Sequence, residues 1–310
     1  MSADVTPGSA PRARWKSIAA RLNAYERLVR LDKPIGILLL LWPTLSALWL
    51  AAQGVPSWSL VLIFTMGTIL TRSAGCAVND WADRRFDAFV ARTARRPLAV
   101  GEISGWEALA VGAVLACCAF AFVLATNRTT ILLSFPAAAI AIAYPFFKRF
   151  FALPQAFLGV AFSFGIPMAY AAVYDGVPPI GWWLLVLNWF WVIAYDTEYA
   201  MVDRDDDAKL GLRTSAIAFG RFDIAAVALC YAIYLGGMVA IGIALRMGWP
   251  YYTGLAVAAS CAAYHVWLIR DRDRDRCFAA FRHNHWLGLA VFCGVVLDYA
   301  VRFRAWPDAA

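Results

Sequence analysis

Hydrophobic positions along this chain come in long blocks rather than in a two- or four-residue rhythm. Apolar runs of roughly 18 to 22 residues recur near 35–53, 57–78, 105–126, 129–147, 153–174, 180–200, 223–245, 249–269 and 285–303; about 20 such residues cross the hydrocarbon core of a bilayer as a helix. Strands of a membrane barrel would alternate apolar and polar positions, and these runs do not. The pattern predicts an all-α polytopic membrane protein of about nine transmembrane helices. Pro43, Pro136 and Pro167 fall inside runs, where neighbouring helices can satisfy the backbone groups they release. Residues 1–14, rich in Pro, Ser and Gly, read as a disordered tail, and 15–310 as a single transmembrane domain.

Composition agrees: 62% of the 310 residues are hydrophobic, 15% aromatic and 16% charged, far from an ordinary soluble domain. The seven cysteines show no C-x-x-C pairing and fall mostly in apolar runs, so they read as reduced, buried thiols. The basic, amphipathic start carries no small-residue cleavage site after a short apolar stretch, which argues against a cleaved signal.

The net charge of +7 matters less than its distribution. Basic residues crowd the N-terminal segment and the loops after the second, fourth, sixth and eighth runs; the opposite side offers Arg128, Arg246, Arg302 and Arg304. The positive-inside rule then places the N-terminus and those loops in the cytoplasm. Membrane topology accounts for the basic charge, and a nucleic-acid partner is not needed to explain it.

Most of the polar chemistry gathers on that same side. Apolar sequence runs directly into "AVNDWADRRFD", where Asn79, Asp83 and Asp87 are spaced i, i+4, i+8. A continuing helix would project all three from one face. In "YDTEYAMVDRDDDAK", Asp196 and Asp203 stand two turns apart, and Asp207 one turn further. The clusters lie about 120 residues apart in equivalent places, which suggests a repeat of helix pairs. Carboxylates beside the apolar core are costly unless they face a cavity or partner. Hard oxygen donors without nearby His or Cys favour Mg²⁺. Asp83, Asp87, Asp196 and Asp203 carry about −4 against about +4 for two Mg²⁺, so a diphosphate of about −3 would need cations nearby. Arg72, Arg96, Lys148 and Arg213 flank this face. Lys33 joins them as a substrate-binding candidate from the basic N-terminal segment, and Tyr144 and Tyr195 as pocket candidates. The tryptophans near 182–191 suit an interfacial belt or helix packing better than a tunnel lining, and His265, His283 and His285 lack ligand spacing near the acids.

At these motifs the chain resembles the UbiA superfamily of intramembrane prenyltransferases, and within it the branch acting on 4-hydroxybenzoate in ubiquinone synthesis. The matching pieces include "RLDKPIGILLLLWPTLSALWLA", "RSAGCAVNDWADRRFD", "RTARRPLAVGEIS", "YPFFKRF" and "YDTEYAMVDRDDDAKLGLRTSAIAFG". The resemblance implies nine helices around a central cavity with a cytoplasmic-side active site. It implies Mg²⁺ and diphosphate held by Asn79, Asp83, Asp87, Asp196 and Asp203, with Asp80 and Asp207 in the motifs but their roles open. Arg96 and Lys148 resemble positions that hold the diphosphate, and Arg72 one that grips the carboxylate of the aromatic acid. The implied substrates are a polyprenyl diphosphate and 4-hydroxybenzoate. The implied setting is the lipid of a bacterial inner membrane, or of a mitochondrial one given the Arg-rich start, with no obligate protein partner. The alternatives are another aromatic acceptor or, from a different class, a cation-coupled transporter.

Overall fold

The computed structural model describes residues 10–85, 87–90, 92–147 and 150–305, with side chains described between 18 and 302. Every regular element among them is helical. Helix α1 (Ala10–Leu28) is followed by α2 (Ile35–Ala52), α3 (Trp58–Asp83), α4 (Gly105–Val123), α5 (Arg128–Phe147), α6 (Pro154–Ser163) and α7 (Gly165–Tyr174). Then come α8 (Pro179–Lys209), the short α9 (Ser215–Phe219), α10 (Asp223–Ala244), α11 (Trp249–Ile269) and α12 (Arg274–Ala305). Single 3₁₀ turns cover Asp87–Phe89 and Gly220–Phe222.

Local chemistry sets several boundaries. Ser57 accepts a hydrogen bond from the Leu60 N–H at the start of α3. Ser104 and Glu107 form a reciprocal capping box that opens α4, satisfying donors the first turn leaves unpaired. Gln53 and Asp175 end α2 and α7 in left-handed conformation.

Eight helical segments among the described residues are long and apolar enough to cross a membrane, α6 with α7 and α9 with α10 each counting as one. The chain is a multi-pass membrane protein. The remaining expected span, 180–200, lies inside α8; its indoles, Asn188 and the acids that follow leave it short of that apolarity. The tail expected to be disordered over 1–14 is only partly addressed: residues 1–9 lie outside the described residues, and 10–14 open α1. Alanine and arginine are strong helix formers, so the helical run extends back past Lys16.

The main apolar core is built from α2, α7, α8, α10, α11 and α12. Gly254 of α11 and Gly294 of α12 let those two backbones touch: a Cβ on Gly254 would stand 2.6 Å from the Ala290 carbonyl oxygen and 2.8 Å from the Gly294 Cα. Small residues at such crossings are what helix packing in lipid relies on. Within this core lies a polar cluster. Fully buried Glu198 accepts from the Tyr231 hydroxyl and the Asn284 amide, both at 2.8 Å. Trp191 Nε1 donates to Asn284 Oδ1 at 2.9 Å, and His265 lies within hydrogen-bond distance of Tyr231 and His283.

The other half is looser. Few residues of α4 and α5 are buried within the protein: Ala108, Gly112 and Ala119 on one, Thr130 and Pro145 on the other. A small second cluster packs Ala24, Leu28 and Val29 against Ala77, Ile103 and Ala108. Arg21 pairs with Glu107 and Arg27 with Glu102, tying α1 to the first turn of α4 and to the segment before it. All seven cysteines are free, but only Cys76, Cys230 and Cys277 are buried. Cys117, Cys118 and Cys293 are exposed, because long spanning helices turn much of their apolar sequence outward, toward lipid. Trp182 and Trp183 are likewise exposed, whereas Trp191 is core.

Candidate active site

Between α2, α3, α4, α5 and the end of α8 lies a cavity of about 1490 Å³. This exceeds the roughly 300–1,000 Å³ of ordinary small-molecule pockets. Phe64, Phe120, Phe135 and Ile142 are among its apolar lining, and Asn79, Asp80, Asp83, Asp87, Asp196, Asp203 and Asp207 line it as well. The two acidic motifs therefore open into one space although they are over a hundred residues apart in sequence.

They arrive there differently. Asp196, Asp203 and Asp207 all belong to the continuous helix α8, as their spacing predicts. The first motif does not stay helical to its end. Helix α3 stops at Asp83, and Asp87 sits in the 3₁₀ turn Asp87–Phe89. What returns Asp87 to the cavity is a pair of hydrogen bonds from Arg96 Nη1, at 2.9 and 3.0 Å. The Thr93 hydroxyl adds a bond to the Asp87 carbonyl at 2.8 Å.

Arginines stand among the acids. Arg92 donates to Asp203 through Nε at 3.0 Å and Nη2 at 2.5 Å, and its guanidinium lies 4.4 Å from the Tyr199 ring centroid. Asp80, 1% exposed, is held by Arg30 at 2.9 Å and Arg96 at 3.0 Å. Arg30 adopts a left-handed φ of 61° just past α1. Burial raises the Asp87 carboxyl above the usual range, and the Arg96 charge works against that rise. Burial works to lower Arg92 and Arg96, but Tyr199, Asp203 and Asp87 for the first, and Asp80 and Asp87 for the second, hold both raised. Among the described residues no three His, Cys, Asp or Glu side chains converge tightly enough to hold a metal ion as they stand. One oxygen is nonetheless left over: Asn79 Oδ1 is buried without a hydrogen-bond partner, on the cavity wall.

Deeper along α3, Arg72 opens into the cavity with no carboxylate partner among the described residues. Its Nη1 donates to Cys76 Sγ at 3.0 Å, its Nε is buried without a partner, and the Phe162 ring centroid is 5.5 Å away. Tyr144 and Tyr195 line the same region, and the Tyr195 hydroxyl is also buried without a partner. Lys33 stands at the rim, largely exposed.

Of the expected site residues, one is not described and one is not brought in. Lys148 lies outside the described residues. Arg213 is absent from the cavity wall and donates instead to the Phe150 carbonyl at 2.8 Å. Leu212 and Thr214 line the cavity; in a non-helical segment the residue between two inward neighbours points away. The sequence reading missed Gly36, Tyr199 and Arg92. The spacing of Arg92 and Arg96 in "RTARR", one helical turn apart, was the available signal for the last.

An apolar vault with paired acidic motifs and arginines at one end defines a class of membrane enzyme, and family comparison agrees. Residues 40–288 match the model of the UbiA prenyltransferase family, and the chain belongs to that family. This membership removes the transporter alternative. The chain is 64% identical over 282 residues to 4-hydroxybenzoate octaprenyltransferase of Cupriavidus necator, covering 91% of this chain and 99% of the relative. It is 59% identical over 285 residues to the protein of the same name from Burkholderia mallei, covering 92% and 99%. Among solved structures, a UbiA homolog from Aeropyrum pernix matches with a TM-score of 0.71 at 25% identity, covering 85% of this chain and 97% of that one. A UbiA homolog from Archaeoglobus fulgidus bound to GPP and Mg²⁺ matches with 0.65 at 18% identity, covering 88% and 99%.

Proposed function

We propose that this enzyme transfers a polyprenyl group from polyprenyl diphosphate to the ring carbon ortho to the hydroxyl of 4-hydroxybenzoate, releasing diphosphate, as a step in ubiquinone biosynthesis. The names carried by its relatives at 59–64% identity support this reading. The observation that carries it is Arg72: a planar, permanently charged fork, without a carboxylate partner, opening into an apolar cavity. Such a fork suits the carboxylate of an aromatic acid.

The donor set fits a divalent cation, since Asn79 offers an unpartnered buried oxygen beside acids on the same wall. Mg²⁺ would be held by Asn79, Asp83, Asp87, Asp196 and Asp203. Asp80, already engaged by two arginines, and Asp207 stand outside that first choice. Bound there, Mg²⁺ would neutralise the diphosphate and make it a better leaving group. The chain's own residues do the remainder. Arg96 and Lys33, with Lys148 from outside the described residues, provide positive charge for the diphosphate. Arg72 orients the ring, with Tyr144 and Tyr195 beside it. The allylic C–O bond breaks with its electron pair leaving on diphosphate, the ring carbon bonds to the prenyl C1, and a ring proton departs. The apolar wall houses the tail and keeps water from the electron-poor allylic carbon. Residues 15–310 act as one unit in a bacterial inner membrane, N-terminus cytoplasmic, without an obligate protein partner.

The test is purified protein with 4-hydroxybenzoate and a series of prenyl diphosphates, with Mg²⁺ or excess chelator, products resolved by mass. Ortho-prenylated acid formed only with the divalent ion supports the reading. Transfer to a non-carboxylated acceptor in preference would overturn it.

A further inference from the structure

Gly36 lies in the first turn of α2, and its backbone does not need glycine. Positive φ among the described glycines is confined to Gly101, Gly211 and Gly220. In a helix, glycine costs stability relative to alanine. The return on that cost is visible across the helix interface. A Cβ built on Gly36 would stand 2.7 Å from Arg72 Nε and 2.8 Å from Nη2, inside contact distance of both. Both residues line the cavity.

We infer that Gly36 is a specificity-determining residue of the acceptor pocket: its missing side chain is the space in which the Arg72 guanidinium stands. The inference rests on the reading of Arg72 as the carboxylate's partner. On the guanidinium's other sides, Cys76 Sγ takes Nη1 and Phe162 offers its ring. The Gly36 side has no side chain to yield, so any added carbon displaces the fork itself. Arg72 ends in a flexible side chain, and the fold survives that displacement. The register of the fork does not, and a bidentate contact with a carboxylate is lost by small shifts.

The experiment measures binding of 4-hydroxybenzoate and its KM in wild type, Gly36→Ala, Arg72→Lys and the double variant, with methyl 4-hydroxybenzoate as an uncharged control. Gly36→Ala is expected to weaken 4-hydroxybenzoate roughly tenfold while leaving the methyl ester and the KM of prenyl diphosphate within about twofold. Its Tm holds or rises, since alanine favours the helix. In the Arg72→Lys background the same change costs less than about twofold, because the fork is already gone. An equal loss in both backgrounds, equal weakening of both substrates, or unchanged binding with an active wild type each overturns the inference. A wild type that does not prenylate 4-hydroxybenzoate overturns the underlying reading, and this inference with it.

Discussion

At the scale of single residues, the site separates into two chemistries on one cavity. Asn79 and Asp83 close α3 beside Asp196 and Asp203, and Arg72 stands nearly two turns before Asn79 on the same helix. Replacing Asp83 with Ala is expected to abolish divalent-dependent transfer, measured as product at saturating concentrations of both substrates; turnover near wild type would remove Asp83 from the metal site. Arg72→Ala is expected to raise the KM for the aromatic acid by roughly 100-fold, the order of a lost charge-assisted bidentate contact. The KM for prenyl diphosphate should change little. Parallel shifts in both would mean the arginine shapes the whole cavity instead. The types of these residues were legible in the sequence, because carboxylates and a lone arginine abutting apolar runs are costly without a purpose. Their surroundings were not. Nothing in the spacing of Asp80 shows that Arg30 and Arg96 both reach it, and nothing in "LGLRTS" shows that Arg213 faces Phe150 rather than the cavity.

At the scale of elements, α8 is the one to watch. It presents Asp196, Asp203 and Asp207 to the cavity and inserts Glu198 into the network of α10, α11 and α12 on its other side. That network is placed to hold the helix's rotation, and with it the direction of the motif acids. Asn284→Ala leaves a fully buried carboxyl short of one donor, at a cost of about 1–3 kcal/mol. A lower Tm in detergent, together with weaker divalent affinity by titration, is the expected pair of results; a lower Tm with unchanged metal affinity would show that the network supports the core without aiming the motif. The long α8 could be read from its apolar run continuing into helically spaced acids. The end of α3 could not, because i, i+4, i+8 spacing fits a helix but does not oblige one. Arg96, nine residues beyond Asp87, is what sets that side chain.

At the scale of the molecule, one half is a packed helical core and the other a large cavity walled by lightly buried helices. Helix α1 braces the mouth, through Arg21 to Glu107 and Arg27 to Glu102. Its described packing begins at Ala24 and Leu28. Removing residues 1–14 should therefore leave transfer activity and Tm close to wild type, whereas removal through Leu28 should lower both, as read by product assay and thermal unfolding in detergent. A dead 1–14 truncation would show that the first turns of α1 do more than precede the brace.

The sequence by itself determined the membrane class, nearly every helix, the crowding of charge beside the apolar runs, and the two acidic motifs that line the cavity. Those follow from local quantities: the transfer cost of each apolar run and the 3.6-residue period. The tertiary structure decided which groups meet. Arg92 reaches Asp203 across 111 positions, and Gly36 opposite Arg72 becomes a space rather than a weakness in a helix. Contacts between distant segments depend on how whole helices pack, and packing is settled by the shapes of all the faces together rather than by any stretch alone.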